Sequence, residues 1–299
     1  MISILYCSLL SDWNTLAFRQ SVLTHTTDKM GGGYVRYVPS SIETAWTTGD
    51  VTGKICSLLS DQTFLLKRSL RGDPDQLSFF EDETGTRSYI EPITGIARHP
   101  FAPVGCKTVL RRPRSLFNIS HILVDSDCKT DCSPSVLFDM GCSVYHNTRS
   151  ASAVGPSIPL FLKMYKKSHP VRRIFAWEAK TVSEWWKHVP PRVKYMTHFY
   201  NTPVTASEFE ISLSSVKEED FVVVKLDIDN TEVELGIVDV IKKNARLIDE
   251  FFFEYHFYFD GLDFGWGDLS RLKSTHNVTT AVRLMTDLRR LGIRSHFWI

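Results

Sequence analysis

The chain has 299 residues, 35 Lys and Arg against 34 Asp and Glu for a formal net charge of +1, and a 43% hydrophobic, 12% aromatic composition. That length allows one large or two modest domains, and the composition supports a sizeable core and argues against bulk disorder. The charge balance gives no electrostatic footprint for nucleic acid, and no apolar run approaches the ~20 residues of a membrane span.

The N-terminus, MISILYCSLLSDW, has a short apolar segment with no basic residue before it, a poor match to a secretory signal. The expectation is a cytoplasmic protein, or a secretory one if a leader precedes this sequence. Residues 1–133 are irregular, with GGG at Gly31 to Gly33, candidate helices at Asp12 to Leu23 and Ile55 to Leu70, and an extended stretch RSYIEPITGIARHP. The basic knot RRPR, Arg111 to Arg114, reads as a solvated loop. Cys128 and Cys132 are closely spaced, but no second ligand pair accompanies them or Cys7, Cys56, Cys106 and Cys142. Free thiols or one structural disulfide fit this better than a zinc site, and no metal is expected. The region is expected to be an extension that packs on a second unit, residues 134–299.

From residue 134 the rhythm becomes strand, helix, strand. VLFD is a strand, IPLFLKMYKKS a helix with a basic end, RIFAWE a strand, and VSEWWKHV a short helix stopped by Pro190-Pro191. VKYMTHFY reads as a strand, DFVVVKLDI as a central strand buried on both faces, and TEVELGIVDVIKKN as an amphipathic helix. LIDEFFFEYHF is a strand, VTTAVRLMTDLRRLG a helix ended by Gly292, and IRSHFWI a last strand. Such alternation predicts an α/β fold, a mostly parallel sheet with helices on both faces. Its ligand site is expected beyond the carboxyl ends of the strands.

Those ends carry Asp139, Glu178, Asn201, Asp227 with Asp229, and Glu254 with His256. So many acids would repel a phosphate and favour a cationic, hydroxyl-rich ligand. S-adenosylmethionine has a sulfonium, an ammonium, a ribose diol and no phosphate. Without a pyrophosphate to cradle, one glycine in the turn Asp139-Met140-Gly141-Cys142-Ser143 suffices where dinucleotide sites use three. Glu178, closing the second strand, is suited to accept both ribose hydroxyls.

The ordered segments FDMG, FAWEA, YNTPV and VVVKLDIDNTEVE resemble the FkbM family of S-adenosylmethionine-dependent O-methyltransferases, in a divergent eukaryotic branch. Lys225, Asp227 and Glu232 match the family's K-I-D-x-E-G-x-E segment, with Asp229 in place of Glu and Asn230 in place of Gly. The likeness covers about residues 134–260. It implies a Rossmann-like methyltransferase fold, S-adenosylmethionine as cofactor, held by Asp139, Gly141, Ser143, Glu178 and Asn201, and a small-molecule or glycan hydroxyl as acceptor. Asp227 is the candidate base, with His256 the alternative because its ordinary pKa of ~6.5 suits the task. His256 also reads as a half-buried strand histidine, and Asp229 as the cap of the helix beginning near Thr231.

Two other classes fit parts of the pattern. A methyltransferase-like protein could bind ligand without turnover. Asp227-Ile228-Asp229 is also a D-x-D after an apolar strand, as in metal-dependent glycosyltransferases, although that reading leaves Lys225 and Glu232 without a role.

Overall fold

The computed structural model describes residues 36–48, 77–93, 122–125, 133–146, 156–259, 264–265 and 275–298. The two candidate N-terminal helices and the RRPR knot lie outside them.

The centre is a six-stranded sheet, and every strand in it pairs in parallel. In chain order its strands are β4 (Ser135–Met140), β5 (Val171–Trp177), β6 (Thr197–Tyr200), β7 (Phe221–Leu226), β8 (Glu250–Phe253) and β11 (Arg294–Phe297). In space they run β11-β8-β7-β4-β5-β6. Counting only this sheet, that is the order 6-5-4-1-2-3 of the doubly wound Rossmann-like folds, with its reversal between β4 and β7. The sequence drives this arrangement directly. Val222, Val223 and Val224 are wholly buried in β7, and so are Phe251, Phe252 and Phe253 in β8. An unbroken apolar run has no solvent face to offer, so it must sit between two layers of helix.

One layer comprises α4 (Ala206–Leu213), α5 (Thr231–Lys243) and α6 (Val278–Arg290). They cover Val136, Phe138, Val224, Phe251 and Phe253 with Phe209, Ile237, Val238, Ala281 and Met285. The other comprises α2 (Ser157–Met164), a 3₁₀ turn at Trp185–His188 and α3 (Pro191–Met196). They place Phe161, Tyr165, Trp185 and Val193 against Leu137, Ile174, Val223 and Phe252. Alternate residues of each strand thus feed opposite layers. Local chemistry fixes the helix starts. Thr205 and Glu208 form a reciprocal capping box on α4, and Asn277 and Thr280 form one on α6. α5 carries Glu232 and Glu234 in its first turn and Lys242 and Lys243 in its last, complementing its dipole.

Three expectations are corrected. VKYMTHFY is not one strand: Pro191 opens α3 at its first position, where a missing N–H costs nothing, and only Thr197–Tyr200 is extended. Asn230, not Asp229, caps α5, accepting a bond from the Val233 N–H at 3.2 Å. His256 lies beyond the end of β8 rather than within it.

The described N-terminal residues form a separate antiparallel sheet, β1 (Arg36–Val38), β2 (Ser78–Glu81) and β3 (Arg87–Ile90), with α1 (Ser41–Thr48) beside it. A two-stranded hairpin, β9 (Tyr258–Phe259) and β10 (Phe264–Gly265), completes the elements described.

Buried charge joins the N-terminal sheet to the large one. Arg289 donates to Glu43 at 3.2 Å and to the Glu91 carbonyl at 2.9 Å. Arg294 donates to Glu250 at 3.1 Å, to Ser88 at 2.9 Å and to the Tyr89 and Leu123 carbonyls at 2.8 and 2.6 Å. His296 lies 2.6 Å from Glu91, and Tyr165 donates its hydroxyl to Glu250. Ions this far from water are tolerable only when paired and fully hydrogen-bonded, so these contacts fix how the N-terminal pieces seat on β8, β11 and α6.

Candidate functional site at the carboxyl edge of the sheet

The register of the six strands aligns their ends. Tyr200, Trp177, Met140, Leu226, Phe253 and Phe297 stand side by side in one row across the sheet. The next residue along each strand is Asn201, Glu178, Gly141, Asp227, Glu254 and Trp298. The ladder still holds them: Glu178 N–H donates to Tyr200, Gly141 to Trp177, Asp227 to Met140, Glu254 to Leu226 and Trp298 to Phe253. Acids that are far apart in sequence therefore occupy one crest. They also share a parity with Leu137, Ala176, Val223 and Phe252, which places them on the α2 side of the sheet.

Lys225 is the hub of the crest. It is wholly buried in a strand of valines, and its ammonium lies 3.0 Å from Asp227 and 3.5 Å from Asp139. It also donates to the Gly141 carbonyl at 2.7 Å. Burial opposes its charge, but Asp227 and Asp139 outweigh burial and raise its pKa, so it stays protonated. Asp139 is fully enclosed; Ser157, at the start of α2, donates to it at 2.5 Å. Burial raises its carboxyl above the usual range despite Lys225 and Ser157. Asp227 is pushed upward by burial, but Lys225 and a hydrogen bond from Glu254 hold it below the usual range. Glu254 is pushed strongly upward by burial and by Asp227, so at neutral pH it keeps its proton and donates it toward Asp227. The crest is thus less negative than a count of its acids implies.

Gly141 has φ +80°, and a Cβ there would stand 1.6 Å from the Asp227 carbonyl oxygen. The protein's own β7 end demands this glycine. After it, Cys142 turns inward, where burial pushes its thiol pKa up. Ser143, with φ 54°, faces outward. The Ser143 N–H donates to one oxygen of Glu178 at 2.9 Å, and the Lys180 N–H donates to the other at 2.8 Å. Asn201 accepts from the Val182 N–H at 3.0 Å and donates to the Glu178 and Lys180 carbonyls, both at 2.7 Å. It shapes the loop that presents Glu178, and its contacts are with the protein backbone.

The sequence-derived candidates divide accordingly. Asp139, Gly141, Ser143 and Glu178 come together around the turns after β4 and β5, and Asp227 joins them through Lys225. His256 sits on the far side, its Nε2 3.5 Å from Glu254 and 3.7 Å from Asp229. Asp227 and Asp229 face different partners, Lys225 and His256, so they do not converge as a D-x-D pair would on one cation. Glu232 is exposed, whereas Glu234 is buried and accepts from the Ile228 N–H at 3.1 Å. Lys225 was detectable as a charge among valines, since a buried lysine requires partners. Ser157 and Glu234 left no such signal. No family model, curated protein or solved structure matches the chain.

Proposed function

We propose that the protein binds S-adenosylmethionine at the carboxyl edge, beside the β4 and β5 turns, and methylates a hydroxyl of a small molecule or glycan. The observation that carries the reading is Glu178. It closes the strand next to β4, at the level where doubly wound folds receive a ribose. Each of its oxygens takes one backbone N–H, and a carboxylate offers about four lone-pair sites. An acceptor position therefore remains on each oxygen, matching a vicinal diol.

The donor would bring a methyl group already activated on sulfonium. What the chain must supply is placement, which is worth on the order of 7 kcal/mol or more in well-oriented reactions. Glu178 would anchor the ribose, with Ser143 beside it. Asp227, partly exposed and fixed by Lys225, is placed to accept a hydrogen bond from the acceptor hydroxyl and orient it. Its lowered pKa makes it a weak base.

That weakness favours a second reading, a methyltransferase-like protein that binds without turnover, because Asp227 is already engaged by Lys225 and Glu254. Calorimetric titration with S-adenosylmethionine and S-adenosylhomocysteine, followed by a methyl-release assay with glycan acceptors, separates the two. Binding with turnover supports methyl transfer, and binding alone supports the second reading. Heat only with a nucleotide-sugar plus manganese would replace both with a glycosyltransferase.

A further inference from the structure

We infer that Asp229, Glu254 and His256 form an open binding site for a zinc-class divalent cation. It involves none of the cysteines, takes only Asp229 of the D-x-D pair, and does not rest on the methyltransferase reading. One ligand atom from each of the three residues lies within 4.8 Å of the others. The His256 Nε2 separations of 3.5 Å from Glu254 and 3.7 Å from Asp229 are too long for hydrogen bonds, which weaken beyond ~3.2 Å. They are close to the edge of a coordination tetrahedron, about 3.4 Å for metal bonds of ~2.1 Å. A small inward swing closes the remainder, and Asp229, with 65% of its side chain exposed, has room to make it.

A second observation points to a cation at this place. Glu234 is wholly buried, and one of its carboxyl oxygens has no hydrogen-bond partner. Beyond burial, the charges it feels most are those of His256, Asp227 and Asp229. A buried carboxyl oxygen left without a partner is costly, and a cation held beside it by Asp229 and His256 would offset that cost. The donor set selects the metal. With the cation displacing the proton that Glu254 otherwise keeps, one imidazole and two carboxylates suit Zn²⁺, Co²⁺ or Fe²⁺, whereas Mg²⁺ and Ca²⁺ prefer oxygen-only shells of six or more ligands. Three protein ligands leave a coordination position for water or a ligand oxygen, as in catalytic rather than structural zinc sites.

The test uses the full chain, stripped with a chelator and titrated with Zn²⁺ against a chromophoric competitor, and with Co²⁺ followed by its visible absorption. One equivalent should bind, and Co²⁺ should give the intense bands of four- or five-coordination. Asp229→Asn keeps a residue that tolerates left-handed backbone, so the fold should survive, yet affinity should fall at least ~10-fold, the loss typical of even an outer-shell change. His256→Ala should abolish the Co²⁺ bands. Glu232→Gln, in an exposed acid of the same segment, should leave binding unchanged. Absence of stoichiometric binding, or affinity undiminished in Asp229→Asn, would overturn the site.

Discussion

Gly141 shows how a single residue can be legible for the wrong reason. A glycine after a buried strand signals a turn near a ligand. In the folded chain the pressure comes from the Asp227 carbonyl, against which any Cβ would collide, together with a φ of +80°. Gly141→Ala should therefore destabilise the whole protein, ligand or none. The left-handed backbone alone costs about 1–2 kcal/mol, and the clash adds to it. Thermal denaturation should show a melting temperature lower by at least several degrees, since ~1 kcal/mol corresponds to about 2–4 °C in a domain of this size class. An unchanged melting point would mean that the β4 turn sits farther from β7 than described. Glu178 and Asp227 were legible because strand-end carboxylates stand out in sequence. The tie to β4 was not, because Lys225, two residues before Asp227, reaches Asp139 only once β4 and β7 are neighbours.

At the level of elements, period and composition found the long strands and helices, and local turn chemistry decided the rest. The apolar runs of β7 and β8 and the amphipathic α5 and α6 announce themselves. The segment after Trp186 does not, because Pro191 supports a helix start as readily as a stop, and a short helix running directly into a strand blurs both periods. α4 went unread although T-x-x-E, Thr205 to Glu208, marks its start. Both halves of that box are formed: the Glu208 N–H donates to Thr205, and the Thr205 N–H donates to Glu208 at 2.8 Å. Thr205→Ala should cost about 1 kcal/mol, read as a shift in the urea midpoint, while Thr205→Asp should retain most of the stability. Equal loss in both variants would show that the threonine acts through packing instead.

For the molecule as a whole, the buried ion network decides how the N-terminal sheet sits, and no periodicity in residues 1–133 encodes it. Its members, Glu43, Glu91, Glu250, Arg289, Arg294 and His296, come from segments up to 253 residues apart in numbering and meet only in the fold. The network makes stability depend on pH in a defined direction. Burial works against the charge of His296, but Glu91 and Glu250 overcome it and raise its pKa. Burial raises Glu250, but His296 and Arg294 overcome it and lower its pKa. The histidine's contribution is complete below its unfolded pKa of ~6.5 and is lost as pH rises through the raised value. The glutamate's is complete above ~4.3 and is lost as pH falls through the lowered value. Stability should therefore be greatest from about pH 4.3 to 6.5 as far as this pair is concerned. His296→Asn should flatten the alkaline decline in chemical denaturation curves. A decline of unchanged slope in that variant would assign it to other groups.

The carboxyl-edge row is the feature of the whole sheet on which the proposed function rests, and Glu178 is its test. Isothermal titration of S-adenosylhomocysteine into the wild-type chain and into Glu178→Gln, side by side, is the most direct measurement. Gln keeps the shape of the side chain and removes the charge from the bonds proposed to a ribose diol, each worth roughly 1.5–3 kcal/mol when charge-assisted. Binding to the wild type, weakened about tenfold or more in the variant, is the predicted result. Equal affinity in the two proteins, or no binding to a folded wild type, would contradict it.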